Sequence, residues 1–301
     1  MPLRLFIASR VVRHQMRRSF ERKGDIGPLR PMMEKMAGDV RAVPSQVRLE
    51  PITLGGVPGE MLSTASAASD AALLYIHGGA FIAGSPKNHR ALTWRLADEL
   101  RVPVFAIDYR LAPEHPFPAA LGDVVAAYRA LIERGVKRIA IAGDSAGGNL
   151  TLASALEIGA LPIQQPVALA CLSPVVTLAE DLPSVVENRD RDVMFPPGLT
   201  DGVLARYAPS ADPRDPRISP LYARDVSRLP PTIFQVGEPE ILRDHSVQME
   251  ARLRAAGVLT KLEVTPSVFH VWHLTADIVP EARAAIDRLV SFLAPRLRAP
   301  S

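Results

Sequence analysis

The 301-residue sequence predicts an α/β fold, a mostly parallel eight-stranded sheet flanked by helices with an added helical cap. Three observations predict it. From about residue 47, short runs of strand character alternate with helical patterns, as crossover connections in a parallel sheet require. One of these runs, Ala72–His77, is continuously apolar, as expected of a strand covered on both faces. Two segments, 1–46 and about 175–230, carry no strand signal and interrupt the alternation.

In chain order, Val47–Leu54 reads as the first strand and Gly55-Gly56-Val57-Pro58-Gly59 as a turn into the second. Ala72–His77 follows, then a helix over Ala91–Leu100, a strand over Val102–Tyr109 and a helix over Ala119–Arg134. The strand Arg138–Gly143 runs directly into Asp144-Ser145, and a helix over Gly148–Ile158 comes next. Val167–Leu172, Thr232–Val236 and Lys261–Thr265 complete the strands, with helices at about Leu242–Ala256 and Ala282–Leu293. The 175–230 insertion holds Pro183, Pro196, Pro197, Pro209, Pro213, Pro216 and Pro220 between two core strands. It is too long for an ordinary connection, which predicts a lid or binding element. The expected organisation is an N-terminal cap segment, 1–46, and a catalytic domain, 47–301, that carries the insertion.

Composition narrows the class. With 48% hydrophobic and 22% charged residues, the chain has ample material for a core. Its single cysteine, Cys171, excludes an intramolecular disulfide framework and fits a reducing compartment, so a cytoplasmic location is expected. The formal charge is only +3 and no run of like charges suggests a nucleic-acid arm. No window reaches the roughly 18 apolar residues of a spanning helix, so stable membrane insertion is not expected. The run Leu5-Phe6-Ile7-Ala8 is too short for a secretory signal. The N-terminus sets Arg10, Arg13, Arg17, Arg18, Arg22 and Lys23 among Leu5, Phe6, Ile7, Val11, Val12, Met16 and Phe20, which predicts an amphipathic helix. Its default reading is one face packed on its own protein, with an anionic membrane as the alternative.

The chemistry is announced by Gly143-Asp144-Ser145-Ala146-Gly147-Gly148-Asn149, a G-x-S-x-G pattern on a predicted strand–turn–helix. That context makes Ser145 a candidate nucleophile on a sharp elbow, with small residues needed on either side and a helix N-terminus favouring negative charge. Attack on an ester carbonyl produces an oxyanion that needs preorganised donors. Tyr75-Ile76-His77-Gly78-Gly79-Ala80-Phe81 stands directly after a strand, so the amides of Gly78, Gly79 and Ala80, with that of Ala146, are candidates. His77 is expected to brace this loop from beneath. No Gly-Lys-[Ser/Thr] or G-x-G-x-x-G is present for phosphate binding. No histidine–carboxylate cluster has metal-ligand spacing, and neither a metal nor a cofactor is expected.

Together with Asp108-Tyr109-Arg110-Leu111-Ala112-Pro113-Glu114, these motifs resemble the hormone-sensitive-lipase-like (bacterial family IV) esterases of the α/β-hydrolase fold, from about residue 45 onward. The chain departs from the pattern at Ala80, where the family motif has a third glycine. The resemblance implies a carboxylesterase acting on a small-molecule ester with a short to medium acyl chain. It also implies a structural role for the Asp108–Glu114 stretch, where an Arg110–Glu114 ion pair is expected, and a homodimer through the last strand. In this fold the nucleophile is followed by the acid and then the histidine. His270, after the last strand and before a small residue and an aromatic, fits the base; His273 is its rival and His245 is expected on the surface. Most relatives carry aspartate at position 240, and a subgroup carries Glu-Ile/Val-Leu as here. Glu240 is therefore the expected acid, with Asp244 the alternative in a surface or capping role and Glu238 exposed. Met32, Met33, Met36, Met194, Phe195 and Leu204 are candidates for the pocket wall. The same triad acting on an amide, lactone or carbamate is an alternative, as is a non-catalytic receptor of the same fold.

Overall fold

The computed structural model describes residues 3–19, 27–38, 42–179, 182–195 and 199–298. Its strands are β1 Val47–Leu54, β2 Val57–Thr64, β3 Ala71–Ile76, β4 Val104–Ile107, β5 Arg138–Asp144, β6 Ala168–Leu172, β7 Thr232–Gly237 and β8 Thr260–Thr265. They form one eight-stranded sheet in the order β1-β2-β4-β3-β5-β6-β7-β8. Strand β2 is antiparallel to β1 and β4, and every other pairing is parallel. The predicted five-residue turn is shorter than expected: Leu54 already pairs with Val57, so Gly55-Gly56 alone turn the hairpin. Their φ angles of +56° and +85° are those of a two-residue hairpin loop, which glycine adopts without steric cost. Strand β4 is also shorter than Val102–Tyr109, ending at Ile107 and starting only after Pro103, which has no N–H to donate to a ladder.

Side-chain alternation explains why the central strands read as continuously apolar. Leu74, Ile76, Ile139 and Ile141 face one core with Leu131, Leu150, Met249 and Leu253. Leu73, Tyr75, Ala140 and Ala142 face the other with Leu92, Leu96, Ile286 and Leu289. The first side is covered by α4 (Ala119–Glu133), α5 (Ala146–Gly159) and α8 (Arg243–Ala255), the second by α3 (Arg90–Leu100) and α9 (Pro280–Leu297). Helix α9 runs past the predicted end at Leu293, since buried Leu297 holds its last turn on the core despite Pro295.

The two segments outside the alternation hold helices but no strand among the described residues. The N-terminal one forms α1 (Leu3–Ser19) and α2 (Leu29–Gly38), and the insertion forms α6 (Pro183–Glu187) and α7 (Leu199–Tyr207). Leu5 and Ala8 of α1 join a third apolar cluster with Val268, Phe269 and Trp272. Phe20, Arg22, Lys23, Pro196 and Pro197 lie outside the described residues, as do the side chains of Met16, Arg17 and Arg18.

Candidate active site

Strand β5 delivers Ser145 into a conformation with φ 54° and ψ −118°, after which α5 begins at once. Such geometry costs a non-glycine residue about 1–3 kcal/mol and persists only where its surroundings enforce it. Here the Ser145 N–H donates to Leu172 O at 2.8 Å, and the Ser145 carbonyl accepts from the N–H groups of Asn149 and Val175. A Cβ at Gly147 would lie 2.0 Å from Ile76 O, and one at Gly143 would lie 2.3 Å from Gly147 O. Both neighbours collide with backbone, so the glycine spacing has a steric cause.

Asp144, beside the elbow, is a buried junction that sequence reasoning missed. Its Oδ1 accepts from Tyr75 Oη at 2.6 Å and from the Gly78 amide at 3.1 Å, and its Oδ2 lies 3.2 Å from His89 Nε2. Burial pushes the carboxyl pKa up, but the His89 charge and these hydrogen bonds win and hold it at about 2. His89 is shifted the other way: burial lowers its pKa and the Asp144 carboxylate more than restores it. His77 braces the loop as expected. Burial, then the His89 charge, push its pKa to about 3, and its ring stacks 4.3 Å from Tyr109. The neutral ring donates from Nδ1 to Gly78 O at 2.8 Å. Because the Gly78 amide is committed to Asp144, Gly78 drops out of the oxyanion donors nominated from sequence. Gly79, Ala80 and Ala146 remain. Gly79, Ala80 and Phe81 all have positive φ (129°, 55° and 64°), so Ala80 holds a left-handed conformation that glycine takes without steric cost.

His270 follows β8, and its Nδ1 lies 2.8 Å from Glu240 Oε2. The other carboxylate oxygen accepts from Ser173 Oγ at 2.8 Å and from the Gly237 amide at 2.5 Å. Both side chains are buried, at 6% and 1% exposed. A carboxylate only accepts hydrogen bonds, so His270 donates from Nδ1, and in the neutral imidazole Nε2 is the nitrogen left with a lone pair. Three further residues absent from the sequence reading hold this pair. Ser173, at the end of β6, also receives the Val271 amide at 3.4 Å. Asn188 donates from Nδ2 to the carbonyls of Glu238 and Glu240. Asp192 accepts from the amides of Met194, Phe195 and Ile241 at 2.8, 3.2 and 2.8 Å. Burial and the charge of Glu240 raise the Asp192 pKa to about 6. The Phe195 ring it positions packs 4.4 Å from the His270 ring.

The rival residues lie elsewhere. His273 is fully buried against Trp272, pairs through Nε2 with Gln235 Oε1 at 2.9 Å, and is pushed by burial to a pKa of about 3. Asp244 is buried, accepts the Ser184 amide at the start of α6 and pairs with Arg243, so it caps a neighbouring helix rather than its own. His245 is a correction: it is 3% exposed, and its Nδ1 accepts the Val176 amide at 3.0 Å. Glu238 is part-exposed and paired with Arg191. The expected Arg110–Glu114 pair is a second correction. Arg110 reaches Asp123 on α4, while Glu114 pairs with Arg30 on α2 at 2.6 Å. Arg30 also donates to the carbonyls of Ile82 and Ala112, tying α2 to the glycine loop.

Ser145 and His270 line one cavity of about 230 Å³, with Gly79, Ala80 and Phe81. Its apolar wall includes Met32, Met33, Met36, Met194 and Phe195 from the two outlying segments. Leu204 packs on the main core instead.

The chain is similar to known proteins over most of its length. The family model described as alpha/beta hydrolase fold matches residues 73–274. The chain is 36% identical over 279 residues to an acetyl-hydrolase of Streptomyces hygroscopicus, covering 90% of this chain and 91% of that one. It is 35% identical over 267 residues to an esterase of Acinetobacter venetianus, covering 88% and 87%. Among solved structures, an esterase from the bacterial hormone-sensitive lipase family superposes with a TM-score of 0.92 at 35% identity, over 99% of each chain.

Proposed function

The chain belongs to the hormone-sensitive-lipase family of bacterial α/β-hydrolase esterases, and from that premise we propose that it hydrolyses short- to medium-chain carboxylic esters through an acyl-enzyme on Ser145. The observation that carries the reading is the Glu240–His270 pair, which leaves a basic Nε2 in the same cavity as a strained, glycine-framed serine. His270 Nε2 takes the Ser145 proton as Oγ attacks the ester carbonyl. Glu240 holds the tautomer and stabilises the imidazolium. The amides of Gly79, Ala80 and Ala146 receive the oxyanion, Ala146 with the N-terminal dipole of α5 behind it. The imidazolium gives its proton to the leaving alcohol, and water repeats the sequence on the acyl-enzyme. The N-terminal segment and the insertion act as a cap that supplies the acyl wall and keeps water from the reacting atoms.

Cavity size supports a small ester. A volume of 230 Å³ lies below the roughly 300–1,000 Å³ of pockets for drug-sized ligands. The acetyl-hydrolase relative points the same way. The test is hydrolysis of p-nitrophenyl esters from acetate to palmitate by wild type and Ser145→Ala. Wild type should favour the short chains, and the variant should lose roughly 10⁶ in kcat, the cost of removing a triad serine. Folded wild type inert on every chain length, or a variant that keeps its rate, overturns the proposal.

A further inference from the structure

Helix α1 has two dissimilar faces. Leu5 and Ala8 are buried, and Ser9 Oγ closes back on Leu5 O at 2.8 Å. On the opposite side Leu3, Ile7 and Val11, spaced i, i+4, i+8, form one stripe that is 72%, 52% and 50% exposed. With Phe6 they are four of the nine large apolar side chains left exposed among the described residues. The same helix carries Arg4, Arg10, Arg13, Arg17 and Arg18 and no Asp or Glu. The Arg10 guanidinium lies 5.4 Å from the Phe6 ring centroid, beside the stripe. Val12, the next residue along, lines the cavity that holds Ser145.

We propose that α1 docks the protein on the surface of an anionic phospholipid bilayer, with Leu3, Ile7 and Val11 at the headgroup–acyl boundary and the arginines on lipid phosphates. An apolar stripe with cations beside it and no acid in the helix is the composition of an interfacial helix. Guanidinium matches phosphate in a bidentate geometry. A second copy of the chain fits less well, because a two-fold contact lays a patch on itself and would set Arg4, Arg10 and Arg13 against the same cations. A nucleic acid would satisfy the arginines and leave the stripe in water. Among the described residues no helix is long and apolar enough to cross a membrane, so the association is peripheral.

The test is cosedimentation of the full chain with vesicles of phosphatidylglycerol and phosphatidylcholine, against phosphatidylcholine alone, at low and high salt. Wild type should bind the anionic vesicles at least roughly tenfold better at low salt and release as salt screens the charge. Ile7→Glu/Val11→Glu and, separately, Arg4→Gln/Arg10→Gln should each weaken binding about tenfold with an unchanged thermal midpoint. If the glutamate pair misfolds, the glutamine pair decides alone. Equal binding to both vesicle types, or well-folded variants that bind like wild type, overturns the proposal. So does sedimentation velocity showing a wild-type dimer that Ile7→Glu/Val11→Glu dissociates, since a second copy would then cover the stripe.

Discussion

Replacing Glu240 with glutamine tests the acid because the surrounding hydrogen bonds dictate how the new amide must sit. Glu240 Oε1 accepts from the Gly237 amide, and Oε2 accepts from His270 Nδ1. If the glutamine NH₂ took the Oε1 place, it would face a backbone N–H that cannot turn away. A buried donor set against a donor costs about 1–3 kcal/mol, so the NH₂ should take the Oε2 place instead. There it donates to Nδ1, which forces the proton onto Nε2 and removes the base from Ser145. Ser173 Oγ, the other donor to Oε1, is unaffected in that orientation. The expected loss is roughly 10⁴ in kcat, the effect of a wrong tautomer in serine-triad chemistry. KM should stay within a few-fold of wild type, because Glu240 is absent from the cavity wall. The assay is steady-state hydrolysis of p-nitrophenyl acetate by Glu240→Gln and Asp244→Asn side by side. A Glu240→Gln enzyme within tenfold of wild type, with Asp244→Asn the crippled one, refutes the reasoning.

Gly147→Ala should cost about 3 kcal/mol in urea denaturation, because its Cβ meets two fixed carbonyls, Ile76 O and His77 O. Arg30→Met should leave kcat near wild type and raise KM for a butyrate ester roughly fivefold, about 1 kcal/mol, by freeing the α2 wall from Ile82 and Ala112. Asp192 should give stability an unusual pH slope. Its native pKa of about 6 lies above the unfolded value near 3.9, so its contribution is greatest below pH 4 and is lost as pH rises through 6. That loss is about 3 kcal/mol, and urea melts of Asp192→Asn between pH 4 and 7 should lack it.

The reach of the sequence follows how local each signal is. The strand run into Ser145 and the flanking glycines are local, so the elbow was legible down to its spacing. His270 and Glu240 were legible only through chain order and resemblance, since nothing nearby marks either residue. Ser173 meets Glu240 across 67 residues and Asp192 meets Ile241 across 49, and no periodicity encodes such pairings. The Arg110–Glu114 expectation assumed that neighbours in sequence pair, whereas each reaches a different helix. His245 carried a signal that was overlooked: it shares an i, i+4, i+8 stripe with buried Met249 and Leu253. Gly78 misled because a glycine loop shows that backbone approaches closely without showing which partner each amide faces.

The division of the cavity between two kinds of chain segment bears on how this enzyme can change. Ser145, Glu240 and His270, the proposed reacting groups, follow strand ends and are braced by buried polar contacts that tolerate little alteration. Much of the facing wall is built by Met32, Met33 and Met36 on one outlying segment and Met194 and Phe195 on another. Methionine is unbranched and readily adopts new shapes, so substitutions there can reshape the cavity without disturbing the elbow. Selection for a new ester should therefore accumulate changes in these two segments first, and substrate range can drift while the hydrolytic machinery is inherited intact.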